Sequence, residues 1–152
     1  MSKFLNIFLL MMAFSSVAVE TVPFVSLLSS PEKYDRKCIQ TVGVISIEYE
    51  GGKLYLDHAS YLAKAYENAI SQPFEAAMVA YDSEKGEAQA KNLTDAFEGK
   101  LVRVVGKFKA VNPSKRLLST KSNFISISYI ESLAPYDGAS FGNQAGCLEQ
   151  IL

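Results

Sequence analysis

The strongest constraint on this chain is an internal echo. Lys37-Cys-Ile39-Gln-Thr-Val-Gly43-Val-Ile45 matches Lys100-Leu-Val102-Arg-Val-Val-Gly106-Lys-Phe108 at a constant offset of 63, with lysine six residues ahead of glycine both times. Both segments are rich in β-branched residues, which suit a pleated, half-buried surface, so both are expected to be strands. A glycine inside such a strand marks a bulge or a sharp bend, the device by which one long strand serves two sides of a small barrel. Two bent strands, each opening a hairpin, predict a closed barrel.

The rest of the chain supplies the returns. The first strand is expected over 38–49, a two-glycine turn at Gly51-Gly52 follows, and Lys53-Leu54-Tyr55-Leu56-Asp57 alternates as its partner. In the second hairpin, 101–111 alternates Val102, Val104, Phe108 and Ala110 with Arg103, Val105, Lys107 and Lys109. Asn112-Pro113-Ser114 turns the chain, and 122–133 returns through Ile125, Ile127 and Ile130. Between the hairpins, Leu62, Tyr66, Ala69 and Ile70 share one face of a helix expected over 60–70 and ended by Gln72-Pro73. A short strand is expected over 75–81 through Met78 and Val79. A second helix over 86–97 turns Leu93, Ala96 and Phe97 inward. Ahead of the barrel, Phe24, Leu27 and Leu28 predict a short helix acting as a lid or plug, and Ser30-Pro31 starts a new turn. Beyond Pro135, the Gly-, Asn- and Gln-rich stretch 138–152 reads as a loosely packed extension.

The order strand, strand, strand, helix, strand, strand, with bent first and fourth strands, is that of a mainly β fold: a five-stranded oligonucleotide/oligosaccharide-binding (OB) barrel with accessory helices. The residues Leu28-x-x-Pro31-Glu-Lys-Tyr34-Asp-x-Lys37, Val42-Gly43, Leu54-Tyr55-Leu56 and Glu98-Gly99-Lys100-x-Val102-x-Val104-x-Gly106-x-Phe108 resemble small bacterial OB-like proteins of unassigned function. The same strand grammar is similar to that of tRNA-anticodon-type OB domains and of small exported OB-fold stress proteins. The resemblance covers about 110 residues and implies a fold, with no catalytic residue to carry across. Arg36 stands where that pattern usually has glycine, and 60–73 inserts a helical segment where a third strand would begin.

The first eighteen residues name a compartment. Lys3 precedes a nearly unbroken apolar run over 4–14, followed by Ser15, Ser16 and Ala18. An apolar segment of eleven residues falls short of the roughly twenty that span a bilayer, and Ser16-x-Ala18 satisfies the small-x-small rule of a secretory signal peptide. Cleavage after Ala18 is expected, with an uncleaved anchor as the alternative. The expected divisions are 1–18 signal peptide, 19–37 N-terminal helix and turn, 38–133 barrel and 134–152 tail. After cleavage no stable membrane span is left, the net charge is −2, and the protein is secreted or periplasmic. In that oxidising setting the two cysteines, Cys38 and Cys147, are expected to form a disulfide, the alternative being a buried thiol on the first strand and a free one in the tail.

The chain is 152 residues long and 49% hydrophobic with net charge −1, which excludes a disordered chain and a generally basic nucleic-acid binder. One histidine and two cysteines cannot furnish a closed zinc site, so no metal and no cofactor are expected. Asp57-His58 invites a catalytic reading, but neighbours on a strand point to opposite faces and no nucleophile elbow occurs. A non-enzymatic binding role is expected instead. Asn92-Leu93-Thr94 fits either a glycosylation acceptor or a turn.

Charge is segregated: seven basic residues and no acid lie between Lys100 and Ile130, while 57–98 is acidic. The candidate ligand-binding residues are Arg103, Lys107 and Lys109 as an outward row, Lys115 and Arg116 at the loop tip, and Tyr55 as a stacking surface. The row is either a binding face for an anionic polymer or a merely solvated face. The partner is expected to be a protein or an envelope polyanion. Nucleic acid is a further alternative, disfavoured by export, as is an accessory role to an enzyme at a cleft near Asp57 and His58.

Overall fold

The structure, a computed structural model, describes residues 19–47, 52–72, 84–111, 123–135 and 138–149. In chain order its elements are β1 (Glu20–Thr21), α1 (Phe24–Ser29), β2 (Cys38–Ser46), β3 (Gly52–Tyr55), α2 (His58–Leu62), β4 (Ala69–Gln72), α3 (Glu84–Phe97), β5 (Leu101–Lys109), β6 (Phe124–Ser132), β7 (Ser140–Gly142) and α4 (Gly146–Glu149), with 3₁₀ turns at Pro31–Tyr34 and Tyr66–Asn68. The expected leader, 1–18, and the expected strand over 75–81 lie outside the described residues.

Five strands close on themselves. β2 pairs antiparallel with β3 through Val44–Ser46 and with β5 through Cys38–Val44, β3 pairs antiparallel with β4, β5 pairs antiparallel with β6, and β4 meets β6 in parallel at Ser71 and Phe124. This is an OB-like barrel, with α3 between its third and fourth strands. Two short strands extend it: β1 runs parallel to β2, and β7 runs antiparallel to β6. Among the described residues no helix is long and apolar enough to cross a membrane.

The echo has a geometric counterpart. Thr41 pairs with Val104, the residue 63 positions on, so each copy of the motif runs antiparallel to the other about that pair. Gly106 lies at the register shift between β5 and β6, where a Cβ would come within 2.2 Å of the Ser126 carbonyl oxygen. At Gly43 a Cβ would come within 2.6 Å of the Tyr55 carbonyl oxygen and 3.1 Å of the Phe24 ring. The first glycine permits a bulge and the second admits the plug.

The barrel interior is filled by Ile39, Ile45, Leu54, Ile70, Val102, Val104, Phe108, Ile125 and Ile130. Phe24 and Leu27 of α1, the expected plug, and Leu93 and Phe97 of α3, expected to turn inward, all belong to the same core. Burying a side chain of this kind contributes about 1.5–3 kcal/mol, which is why short helices with a few apolar contacts hold their places.

Two expectations are overturned. A helix over 60–70 does not form: α2 stops at Leu62, which is 70% exposed, and Lys64 enters the left-handed region at φ 52°. The chain then turns through Tyr66–Asn68 and enters β4, so Ala69–Gln72 is the third barrel strand and Ile70 faces the core. Pairing with β3 gives these four residues backbone partners that local helical spacing could not anticipate. The tail is not loose either. β7 docks on Tyr129–Glu131, Gly142 adopts φ 94° against the Ser128 carbonyl, and Cys147 is fully buried in a disulfide with Cys38.

Candidate functional site

The outer face of β5 carries Arg103, Lys107 and Lys109 at the expected spacing of two, and the structure splits that row. Val105, in the same row, is buried beneath Cys147 and Tyr129, so α4 and the disulfide separate Arg103 from Lys107. Arg103 Nη1 lies 2.6 Å from Glu131 Oε1, and Tyr129 Oη donates to Glu131 Oε2 at 2.9 Å. The acid-free run along the chain ends at Ile130, and the next residue crosses the strand pair to neutralise Arg103. Among the described residues, no carboxylate pairs with Lys107 or Lys109. Lys115 and Arg116 lie outside the described residues.

Tyr55 does not offer a stacking surface. It is fully buried on the outer side of the first hairpin, packed with Val44 and Ala69 and covered edge-on by Tyr61 from α2, ring centroids 5.9 Å apart. The period of two places Tyr55 outward, but α2 then folds over it.

An exposed aromatic, Tyr66, and a half-buried one, Phe124, lie along a line that ends at Lys109. Lys53 pairs with Ser71, Ser71 with Phe124, and Phe124 with Lys109, so these four positions form one line across β3, β4, β6 and β5. The Lys53 ammonium lies 5.2 Å from the centre of the Tyr66 ring, and the Lys109 ammonium 5.5 Å from the centre of the Phe124 ring. Tyr66 is 55% exposed. Three inter-strand steps put the two lysine positions about 14 Å apart along the barrel surface. Lys53, Tyr66 and Phe124 were not among the expected binding residues. The signal available in sequence was that alternation in β6 puts Phe124 on the face opposite Ile125, where Lys109 also points.

Asp57 and His58 do not form an acid–base pair. Asp57 caps α2: its Oδ1 accepts the Ser60 backbone N–H at 2.7 Å. That backbone hydrogen bond, followed by one from the Ser60 side chain, holds the Asp57 carboxyl below its ordinary pKa of 3.8. His58 is exposed, with its ring 5.6 Å from that of Tyr61. The more connected carboxylate is Glu98, just past α3, which accepts from the Ile47 backbone N–H, from Ser46 Oγ and from Tyr61 Oη at 2.9 Å. It ties the ends of β2 and α3 to the helix that covers Tyr55, which is an architectural role. Among the described residues, no group of three or more His, Cys, Asp or Glu side chains is placed to hold a metal ion.

The outer barrel face thus combines lysines with one exposed and one half-buried ring and shows no assembled acid–base machinery among the described residues. No protein-family model matches the chain, and no characterised protein or solved structure matches it either.

Proposed function

We propose that this protein is an exported, non-enzymatic binding module of the small OB-like kind, which takes an envelope polyanion on the outer face of its β5–β6 hairpin. The observation that carries the reading is the line Lys53–Ser71–Phe124–Lys109, with Lys107 beside it on β5. Lysines at spacing two on one strand face lie about 7 Å apart, a separation suited to successive charges on an extended polymer. The disulfide and the leader-like first eighteen residues support an oxidising destination. Such a face binds by releasing counterions from the polymer, so affinity falls steeply with salt. Titrating the protein with anionic polymers at two salt concentrations tests this, alongside the Lys107→Gln/Lys109→Gln variant. A variant with full affinity, or binding indifferent to salt, removes the reading.

A second reading is a partner protein. It is favoured by the exposed Val42 and Leu101, which the β2–β5 register places around Arg103 on the same outer face. Affinity lost through Val42→Ser/Leu101→Ser but not through the lysine variant would select it.

A further inference from the structure

We infer that the polyanion is an acidic polysaccharide, whose sugar rings lie against Tyr66 and Phe124 while its carboxylates meet Lys53 and Lys109. This rests on the polyanion reading above and names the ligand class for that same face.

The inference starts from the rings. A polymer that is recognised as a string of charges needs ammonium groups and nothing more, since point charges carry little information about what lies between them. Here each lysine at the ends of the line has an aromatic ring beneath it, and the two pairs come from different parts of the chain: Lys53 of β3 with Tyr66 from the turn before β4, and Lys109 of β5 with Phe124 of β6. The same arrangement recurs at both ends of one line across four strands. Tyr66 keeps more than half its surface in water and is not among the side chains packed on the nearby apolar cluster that includes Ala69, so its ring is presented outward.

The position of the ammonium groups separates two kinds of polymer ring. A nucleobase stacks by laying its own face over the aromatic face. At 5.2 and 5.5 Å from the ring centres, the ammonium groups already hold those faces through cation–π attraction, and a base would have to displace them. A sugar ring makes no such demand. Its C–H groups pack against the part of the aromatic ring left open, and a carboxylate on the same sugar takes the ammonium where it stands, a charge-assisted hydrogen bond. Two such positions about 14 Å apart engage separate sugars of one extended chain, so the second contact is made at high effective concentration. Among the described residues, Glu67, exposed beside Tyr66, opposes an anionic ligand at this end.

The test uses the purified, disulfide-bonded protein with three probes: alginate as a polyuronate, long-chain polyphosphate, and a single-stranded oligodeoxythymidylate. The variants are Tyr66→Ala, Phe124→Leu and Lys53→Gln/Lys109→Gln. Tyr66 is exposed enough that its alanine variant leaves the fold in place, and leucine keeps apolar cover at Phe124. The expected result is alginate binding that each aromatic variant weakens about tenfold, the scale of one lost ring contact, with polyphosphate binding changed less than about twofold and the lysine variant weakening both. Glu67→Gln is expected to tighten alginate binding. Aromatic variants that leave alginate affinity unchanged, with polyphosphate bound as well or better, overturn the inference and leave the polyanion reading standing. Preferential binding of the oligodeoxythymidylate that depends on both rings overturns it in favour of base stacking. Failure of all three probes to bind at low salt removes the polyanion reading itself, and the inference with it.

Discussion

Cys38 opens β2 and Cys147 lies in α4, and the disulfide between them brings their Cα atoms to 5.9 Å across 109 residues of chain. Both sulfurs sit in a small cluster with Val105, flanked by Val19 and Tyr129, on the outside of the barrel. One covalent bond therefore fastens α4 to the first barrel strand, over the place where β5 would otherwise show an apolar side chain to water.

Replacing both cysteines by serine is expected to destabilise the protein by about 2–4 kcal/mol. The chain-entropy model gives a ceiling of about 4–5 kcal/mol for a loop of this length. Urea denaturation of the oxidised protein and the variant measures the difference. Hydrogen exchange at Tyr129–Glu131 should rise in the variant, because β7 loses its anchor. An unchanged unfolding midpoint together with unchanged exchange would mean that the tail docks without its crosslink.

Arg36 is expected to be improved by glycine. Its φ of 63° lies in the left-handed region, which costs a residue with a Cβ about 1–2 kcal/mol. Glycine recovers that strain but frees the unfolded chain by about 0.5–1 kcal/mol, leaving a net gain of a few tenths to about 1 kcal/mol. The side chain holds little in place, since Arg36 is exposed and meets Asp35 at 3.6 Å. The structural contacts of this turn come from the backbone, through Arg36 N–H to the Phe108 carbonyl, and from Asp35, which accepts the Ala110 N–H. A higher urea midpoint for Arg36→Gly is the expected outcome, and a clear fall would contradict the strain account.

Asp57 makes a pH prediction. Its pKa is lowered in the folded state by the hydrogen bonds at the start of α2, so its contribution to stability is fully present above the ordinary value of 3.8. That contribution is lost as the pH falls through the lowered folded value. Asp57→Asn keeps a capping oxygen but cannot titrate, so its stability should fall less steeply below about pH 4 than that of the parent. Asp57→Ala should lose the cap at every pH. Parallel acid titrations of urea midpoints for the three proteins check this, and identical slopes would show that Asp57 does not contribute.

What could be read from sequence divides along the range of the interactions concerned. β2, β5 and the bend at Gly106 were legible because alternation and an interrupting glycine are local signals. Phe24, Leu27, Leu93 and Phe97 were legible for the same reason, as apolar residues at helical spacing. β4 was not: Ala69-Ile-Ser-Gln is four residues long, and only its ladder with Gly52–Tyr55 makes it a strand. The tail's order depends on a partner 109 residues away, so its composition pointed the wrong way while its cysteine pointed the right way. The proposed binding face was half legible. Lys107 and Lys109 could be found along the chain, whereas Lys53 with Tyr66 and the neutralisation of Arg103 exist only across strands.

That neutralisation yields the sharpest prediction for binding. Arg103 spends a guanidinium nitrogen on Glu131 at 2.6 Å, with both side chains partly shielded from solvent, and the Tyr129 hydroxyl steadies the other carboxylate oxygen. To an approaching polyanion the pair is close to neutral, while Lys107 and Lys109 present net positive charge. Arg103→Gln should therefore weaken polyanion binding far less than Lys109→Gln, although counting charges along β5 would rank the two alike. Glu131→Gln should do the reverse: it removes the compensating charge, exposes Arg103 to the ligand, tightens binding and steepens the fall of affinity with salt, since one more cation then displaces counterions. Its cost in stability should be small, about 0.2–1 kcal/mol for a partly exposed pair. Salt-dependent titrations of the three variants against one polymer decide it. If Arg103→Gln weakens binding as much as Lys109→Gln and Glu131→Gln changes nothing, the ligand reaches Arg103 despite its partner, and the binding face extends past the disulfide to the far end of β5.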